Sequence, residues 1–159
     1  MLSLKKLVFI KINKYMSYPD IKHELLGYLR YDSEFDWYES QVIFYETQLP
    51  ISLSIDDNDK VESALDRAIC IVPELKHYAK SAKEYAVEQL LKLKNETWLD
   101  EGDKITSEEF KSRIILEGLV FLPEGKVEFY YNDGNLFLGH CIILKMDNNN
   151  YFVDASIHG

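Results

Sequence analysis

Five side chains in two short segments have the chemical types that ligand binding or proton transfer requires. Asp36, Trp37 and Glu39 place an aromatic ring between two carboxylates where a turn opens into a strand. Asp133 and His140 lie in the C-terminal third of the chain, and histidine is the usual residue for proton transfer near neutral pH. If these groups met in one pocket, they would form a small-molecule binding site or an active site.

The same residues have structural interpretations, which general residue tendencies favour. Trp37 would fill the core of a hairpin while its flanking carboxylates stay solvated. Asp133 followed by Gly134 is typical of a hairpin turn. His140 lies in an apolar run, where a hydrogen-bonded core histidine is more common than a functional one. His140 and Cys141 cannot form a nucleophilic pair, because adjacent residues of a strand point to opposite faces.

No metal, phosphate or hydrolase motif is complete in this sequence. Asp56, Asp57 and Asp59 resemble the start of a calcium loop, but Val61 stands at its sixth position and Arg67 at its twelfth. The chain also lacks a glycine-rich phosphate loop, a Gly-x-Ser-x-Gly elbow and a His-Glu-x-x-His helix. We therefore expect no metal and no cofactor, and these absences weigh against catalysis.

The composition is that of an ordinary globular domain, so we predict one domain over residues 1–159. The chain is 47% hydrophobic and 28% charged, with a net charge of −9. This charge disfavours nucleic acid and anionic membranes as partners and favours a basic protein. Cys70 and Cys141 lie far apart in apolar runs, which predicts two small buried side chains in a reducing cytoplasm.

Strand patterns and helix patterns occur in separate blocks, which predicts an α+β fold. Residues 1–20 are predicted to form an extra N-terminal helix or strand. Alternating apolar residues then predict a three-stranded N-terminal meander at 27–31, 36–45 and 49–55. Two or three central helices follow, with capping-box patterns at Asp59 and Thr106 and a proline at 73. A four-stranded antiparallel C-terminal meander is predicted at 114–122, 126–131, 136–146 and 151–157.

Within the predicted strand at 136–146, residues 136–144 are apolar on both faces apart from His140. We therefore expect it to be a central strand that is covered on both sides.

Two stretches together resemble a known bacterial family. The first runs from Gly27-Tyr28-Leu29 through Asp36-Trp37-Tyr38-Glu39 to Ile51-Ser52-Leu53, and the second from Phe129 through Ile142 to the end of the chain. The sequence is similar there to domain of unknown function 2262 (DUF2262), over residues 25–159. Asn135 departs from the acidic residue expected at its position, so no carboxylate role is carried over there. The resemblance implies a bacterial cytoplasmic protein and no known activity or cofactor.

The leading hypothesis is a non-catalytic protein-interaction module, of the immunity type that masks a basic toxin surface. The acidity, the 11 Tyr and 8 Phe residues and the missing catalytic motifs support it. The alternative is a small-molecule binding protein or enzyme with a site near Trp37 and His140, completed by Glu39 and Asp133. A third possibility, a structural domain of a larger assembly, requires an exposed apolar patch.

Overall fold

A computed structural model describes residues 18–159, which contain eight strands in one sheet and three α-helices. The N-terminal strands are β1 (Ile21–His23), β2 (Gly27–Asp32), β3 (Trp37–Phe44) and β4 (Thr47–Ser54). The helices are α1 (Glu62–Ile71), α2 (Leu75–Thr97) and α3 (Ser107–Arg113), with 3₁₀ turns at Val72–Glu74 and Pro123–Gly125. The C-terminal strands are β5 (Ile115–Phe121), β6 (Val127–Asn132), β7 (Cys141–Met146) and β8 (Phe152–His158).

The strands follow one another across the sheet in chain order, from β1 to β8. Every neighbouring pair is antiparallel except β4 and β5, which are parallel. The predicted α+β class is confirmed, and two meanders are joined edge to edge. The N-terminal meander has four strands and not three, because the short β1 pairs with β2 from Ile21↔Leu29 to His23↔Gly27. Three residues are too few to produce a recognisable alternation in the sequence.

One face of the sheet forms the hydrophobic core with the helices. Ile51, Leu119, Phe129 and Leu144 lie in register across four adjacent strands and are at most 1% exposed. The helices meet this face mainly through alanines, which allow close approach, and through the fully buried Phe110 of α3. Burial of each large apolar side chain contributes about 1.5–3 kcal/mol, so this face dominates the stability of the fold.

The other face of the sheet is not covered by any of residues 18–159. Of the residues of β7 that point to this face, Ile143 is half-buried, and Lys145 is exposed. The predicted strand at 136–146 is therefore wrong in two respects: it begins only at Cys141, and it is not covered on both sides. The helix or strand predicted at 1–20 lies mostly outside the described residues, and 18–20 form neither.

Helix α2 is the longest element and spans 23 residues, about 35 Å at 1.5 Å per residue. Its buried stripe is built from Leu75, Ala79, Ala82, Ala86 and Leu90. The rest of its surface is rich in charged residues. Neither α2 nor any other helix within residues 18–159 has the long apolar stretch needed to cross a bilayer.

The two predicted capping boxes have different outcomes. The box at Thr106 is confirmed: its Oγ1 accepts from the amide of Glu109 at 3.1 Å, and its own amide donates to Glu109 Oε2 at 2.6 Å. The box at Asp59 is wrong. Asp59 adopts a left-handed φ of 61°, and α1 begins at Glu62 without a side-chain cap. Asp56 instead closes this turn by accepting from the amides of residues 58 and 60.

The prediction of two buried cysteines is wrong for one of them. Cys70 of α1 is exposed, and Cys141 at the start of β7 is half-buried. Both are free thiols. Cys70 lies on the side of α1 away from its buried stripe of Ala64, Ala68 and Ile71. The apolar residues next to Cys70 in the sequence therefore did not indicate whether its side chain is buried or exposed.

Replacing Thr106 with Ala should lower the free energy of unfolding by about 1 kcal/mol, because the Glu109 amide in the first turn of α3 loses its acceptor. Thr106→Ser is the matched control and should retain most of this stability, since the hydroxyl remains. Urea denaturation followed by circular dichroism measures both. Equal stability of the Ala and Ser variants would show that the box contributes nothing.

Candidate functional site

The sheet places the five residues singled out by the sequence at two opposite ends. Trp37 pairs with Ser54 at the C-terminal end of β4, which is parallel to β5. Strand β6 starts beside the C-terminal end of β5 and runs back, so Asp133, which follows β6, lies at the far end of the sheet. His140 precedes β7 at that same far end. The eight residues of β3 alone span about 25 Å, so the two groups share no pocket.

The end that contains Trp37 is strongly acidic. Residues 32–39 and 54–62 adjoin there through the Trp37↔Ser54 and Asp32↔Trp37 pairs, and we call these two segments the acidic tip. The tip carries one cation, Lys60, and eight carboxylates. None of the eight forms an ion pair with another part of residues 18–159. The carboxylates are Asp32, Glu34, Asp36, Glu39, Asp56, Asp57, Asp59 and Glu62.

Aromatic rings are packed among these carboxylates. Phe35, which is 57% exposed, stacks on Trp37 with 5.2 Å between ring centroids. The indole Nε1 of Trp37 donates to Glu39 Oε1 at 2.9 Å. Tyr31 donates its hydroxyl to the Asp36 carboxylate and packs against the ring of Tyr18, 4.2 Å away. Asp36, Trp37 and Glu39 are thus brought together as an aromatic platform flanked by carboxylates, with Trp37 half-buried.

The tip raises the pKa values of two tyrosines that lie beside it. Burial, together with the nearby carboxylates of Asp59 and Asp36, raises the pKa of Tyr18 from 10.0 to about 12. Burial and the hydrogen bond to Asp36 raise the pKa of Tyr31 as well. Each shift has the same physical meaning, because a phenolate would be poorly hydrated and would lie beside like charge. The tip therefore disfavours any additional negative charge.

At the far end, Asp133 organises the loop between β6 and β7. It is 1% exposed, and its carboxylate accepts from the amides of Asn135 at 3.0 Å, Phe137 at 2.7 Å and Gly139 at 3.1 Å. Asn135, Leu138 and Gly139 all have positive φ, which a strand cannot accommodate. A turn does form at 133–136, where the Leu136 amide donates to the Asp133 carbonyl at 3.0 Å and Gly134 and Asn135 have positive φ. The predicted strand through 136–140 is replaced by the rest of this loop.

Two cations that the sequence analysis did not single out complete this end. Arg113 donates from Nε at 3.0 Å and from Nη2 at 2.7 Å to the carbonyl of Gly134. Lys94 is 5% exposed, and its Nζ donates to the carbonyls of Trp98 and Leu136. Burial, followed by the charge of Arg113, lowers the pKa of Lys94. Isolated cations on helices carry no sequence signal for such a role.

His140 belongs to the same packed loop. It is half-buried and lies edge-on to Trp98, with 5.7 Å between ring centroids. Trp98 also packs edge-on against Phe137, at 5.4 Å. Asp133, Arg113 and Lys94 are thus occupied with the backbone of the loop, and His140 packs beside them, an arrangement that suits a structural role.

Residues 23–157 match the family described as "Uncharacterized protein conserved in bacteria (DUF2262)". The chain belongs to this family. The match begins in β1 and ends in β8, so it takes in nearly all of the sheet and the three helices of the DUF2262 chain. Neither the curated proteins nor the solved structures contain a match to it. The family resemblance seen in the sequence is confirmed.

The open face of the DUF2262 sheet carries a shallow depression of about 550 Å³. It is lined by Tyr28, Arg30, Glu39, Gln41 and Pro50, among other residues of β2, β3 and β4. Glu39 therefore connects the acidic tip with the open face.

Within residues 18–159, no three His, Cys, Asp or Glu side chains converge as a metal site would require.

Asp133→Asn should destabilise the DUF2262 chain by about 1–3 kcal/mol, because an amide side chain cannot accept all three loop N–H groups, one of them buried, that the carboxylate accepts. Asp147→Asn is the control: Asp147 also accepts two turn amides, but it lies in a more exposed turn. Urea denaturation gives both free energies of unfolding. A smaller loss for Asp133→Asn than for Asp147→Asn would contradict this assignment.

The raised tyrosine pKa values predict a loss of stability at alkaline pH. Stability due to Tyr18 is fully present below its unfolded pKa of 10.0 and is lost as the pH rises towards about 12, because the unfolded state releases its proton first. Urea midpoints measured from pH 9 to 11.5 should therefore fall less steeply for Tyr18→Phe than for the unmodified chain. Tyr151→Phe, at a position 70% exposed, should leave the slope unchanged.

Proposed function

We propose that this protein is a non-catalytic interaction module that binds a basic partner protein through its acidic tip. The observation that carries the proposal is the concentration of eight carboxylates and one lysine at one end of the sheet. Like charges held this close repel one another and lower the stability of the folded chain. A basic partner would neutralise these carboxylates and relieve their repulsion, so such a surface is well suited to binding one.

The rings of the tip add a second type of contact to this proposal. The exposed face of Phe35 and the half-buried Trp37 offer sites for arginine or lysine side chains, which bind over aromatic rings. The adjacent carboxylates accept charge-assisted hydrogen bonds from the same cations. Aromatic residues are enriched in interface cores, and charge complementarity speeds the encounter of two proteins.

The specific form of the proposal is an immunity-type protein in the cytoplasm, which masks the basic surface of a toxin. The two free cysteines suit a reducing compartment. The alternative, a small-molecule protein or enzyme with a site near Trp37 and His140, gains no support from the geometry, because these residues lie at opposite ends of the sheet.

Charge reversal tests the proposal. We expect the immobilised chain to capture a basic protein from the lysate of its bacterial host at low salt, and to lose it as the salt concentration rises. Asp36→Lys combined with Asp57→Lys should abolish the capture. Glu88→Lys combined with Glu101→Lys changes the net charge by the same amount at exposed positions outside the tip, and should retain the partner.

Two results would overturn the proposal. Loss of capture in both charge-reversed variants would show a response to net charge and not to the tip. Capture that is unaffected by the tip variant would place the interface elsewhere. Phe35→Ala supplies an independent check, because it should weaken capture without changing the net charge.

A further inference from the structure

A second concave surface lies at the end of the sheet opposite the acidic tip. It is a cleft of about 480 Å³ between α2, the turn that joins β3 to β4, and the junction of α3 with β5. Ligand sites for small molecules commonly enclose about 300–1,000 Å³, so this cleft has a suitable size. Its lining differs from that of the tip in both charge and apolar content.

Three lysines of α2 converge on the cleft. Lys76, Lys80 and Lys83 are spaced by four and three residues, which places them on one face of the helix beside its buried alanine stripe. None of the three forms an ion pair within residues 18–159. Three uncompensated cations on one helix face are notable in a chain with a net charge of −9.

Two of the carboxylates near this cleft are already occupied. Glu84 and Glu108 both pair with Lys111, at 3.1 Å and 2.7 Å. Lys83 is half-buried, and its Nζ donates to the carbonyl of Lys111 at 2.7 Å. Burial lowers the pKa of Lys83, and within residues 18–159 no carboxylate pairs with it as a counter-ion. A bound anion would supply one.

The rest of the lining is mainly apolar and aromatic, with Thr47 and Ser112 as its polar members. Ile114 and Tyr131 are fully buried, and the Tyr131 hydroxyl donates to the carbonyl of Ala79 at 3.2 Å, which fixes the ring below α2. Tyr45 is 63% exposed at the rim, where Lys76 Nζ lies 4.7 Å from its ring centroid. A ligand for this cleft should therefore combine an anionic group with an apolar one.

We propose that the cleft binds a small organic phosphomonoester. Its phosphate contacts Lys76, Lys80 and Lys83, and its apolar group packs against Leu116 and Tyr45. A phosphomonoester carries a charge of about −1.5 to −2 at neutral pH, which three ammonium groups can neutralise. Lysine ammonium groups bind phosphate as point charges and tolerate a range of geometries. The site is independent of the acidic tip, because it lies at the other end of the sheet.

Calorimetric titration with phenyl phosphate tests this site. We expect one molecule to bind per chain, with inorganic phosphate binding more weakly and phenol not binding. Lys76→Gln and Lys80→Gln should each weaken binding by about tenfold or more, since each removes a charged contact. Both side chains are exposed, so the variants should fold. Lys92→Gln is the control on the same helix, because Lys92 is 82% exposed and pairs with Glu96 away from the cleft.

The proposal is overturned if the unmodified chain gives no saturable binding, or if Lys92→Gln weakens it as much as Lys80→Gln does. Phenol binding as tightly as phenyl phosphate would show an apolar pocket with no use for the lysines. The Asp36→Lys, Asp57→Lys variant of the tip should bind phenyl phosphate like the unmodified chain. The two proposals can therefore fail separately.

Discussion

The parallel pairing of β4 with β5 is the constraint on which the rest of the structure depends. β4 ends at the acidic tip, and β5 must start at the opposite end to run beside it in the same direction. Residues 55–114 therefore have to travel the length of the sheet. Helix α1 begins at the tip, and the residues that follow it, 72–77, already lie beside Ile43 and Phe44 at the opposite end. Because this crossover packs on one face, it buries that face, and none of residues 18–159 covers the other.

The same constraint separates opposite charges. The turn after β4 joins the turn before β3, so two acidic segments that are distant in sequence become one surface. At the other end, α2 places its lysines over the β3–β4 turn and the start of β5. Although the net charge is −9, the charges are unevenly distributed: one end of the molecule is acidic, and the other has a basic cleft. We infer that these ends serve different ligands, one a protein and the other a small anion.

Periodicity in the sequence was sufficient for the class of the fold and for most strands and helices, since alternation and helical stripes reflect burial directly. It failed where a single side chain overrides the local pattern. Leu136 and Phe137 are apolar and buried, yet Asp133 binds the amides around them and holds them in a loop. Asp59 had the spacing of a cap, but Asp56 closes that turn. Of the candidate site, Asp36, Trp37 and Glu39 do lie together, whereas the cleft was missed although the spacing of Lys76, Lys80 and Lys83 was visible.

The most direct test of the account is a ¹⁵N NMR titration of the chain with a short peptide rich in arginine and lysine. The acidic tip should respond, with amide shifts at residues 32–39 and 54–62 that saturate together. Residues 76–83 at the opposite end should not move, because the peptide is repelled there. Shifts spread evenly over every acidic residue of the surface, or centred on another element, would contradict the claim that the tip is the partner-binding surface.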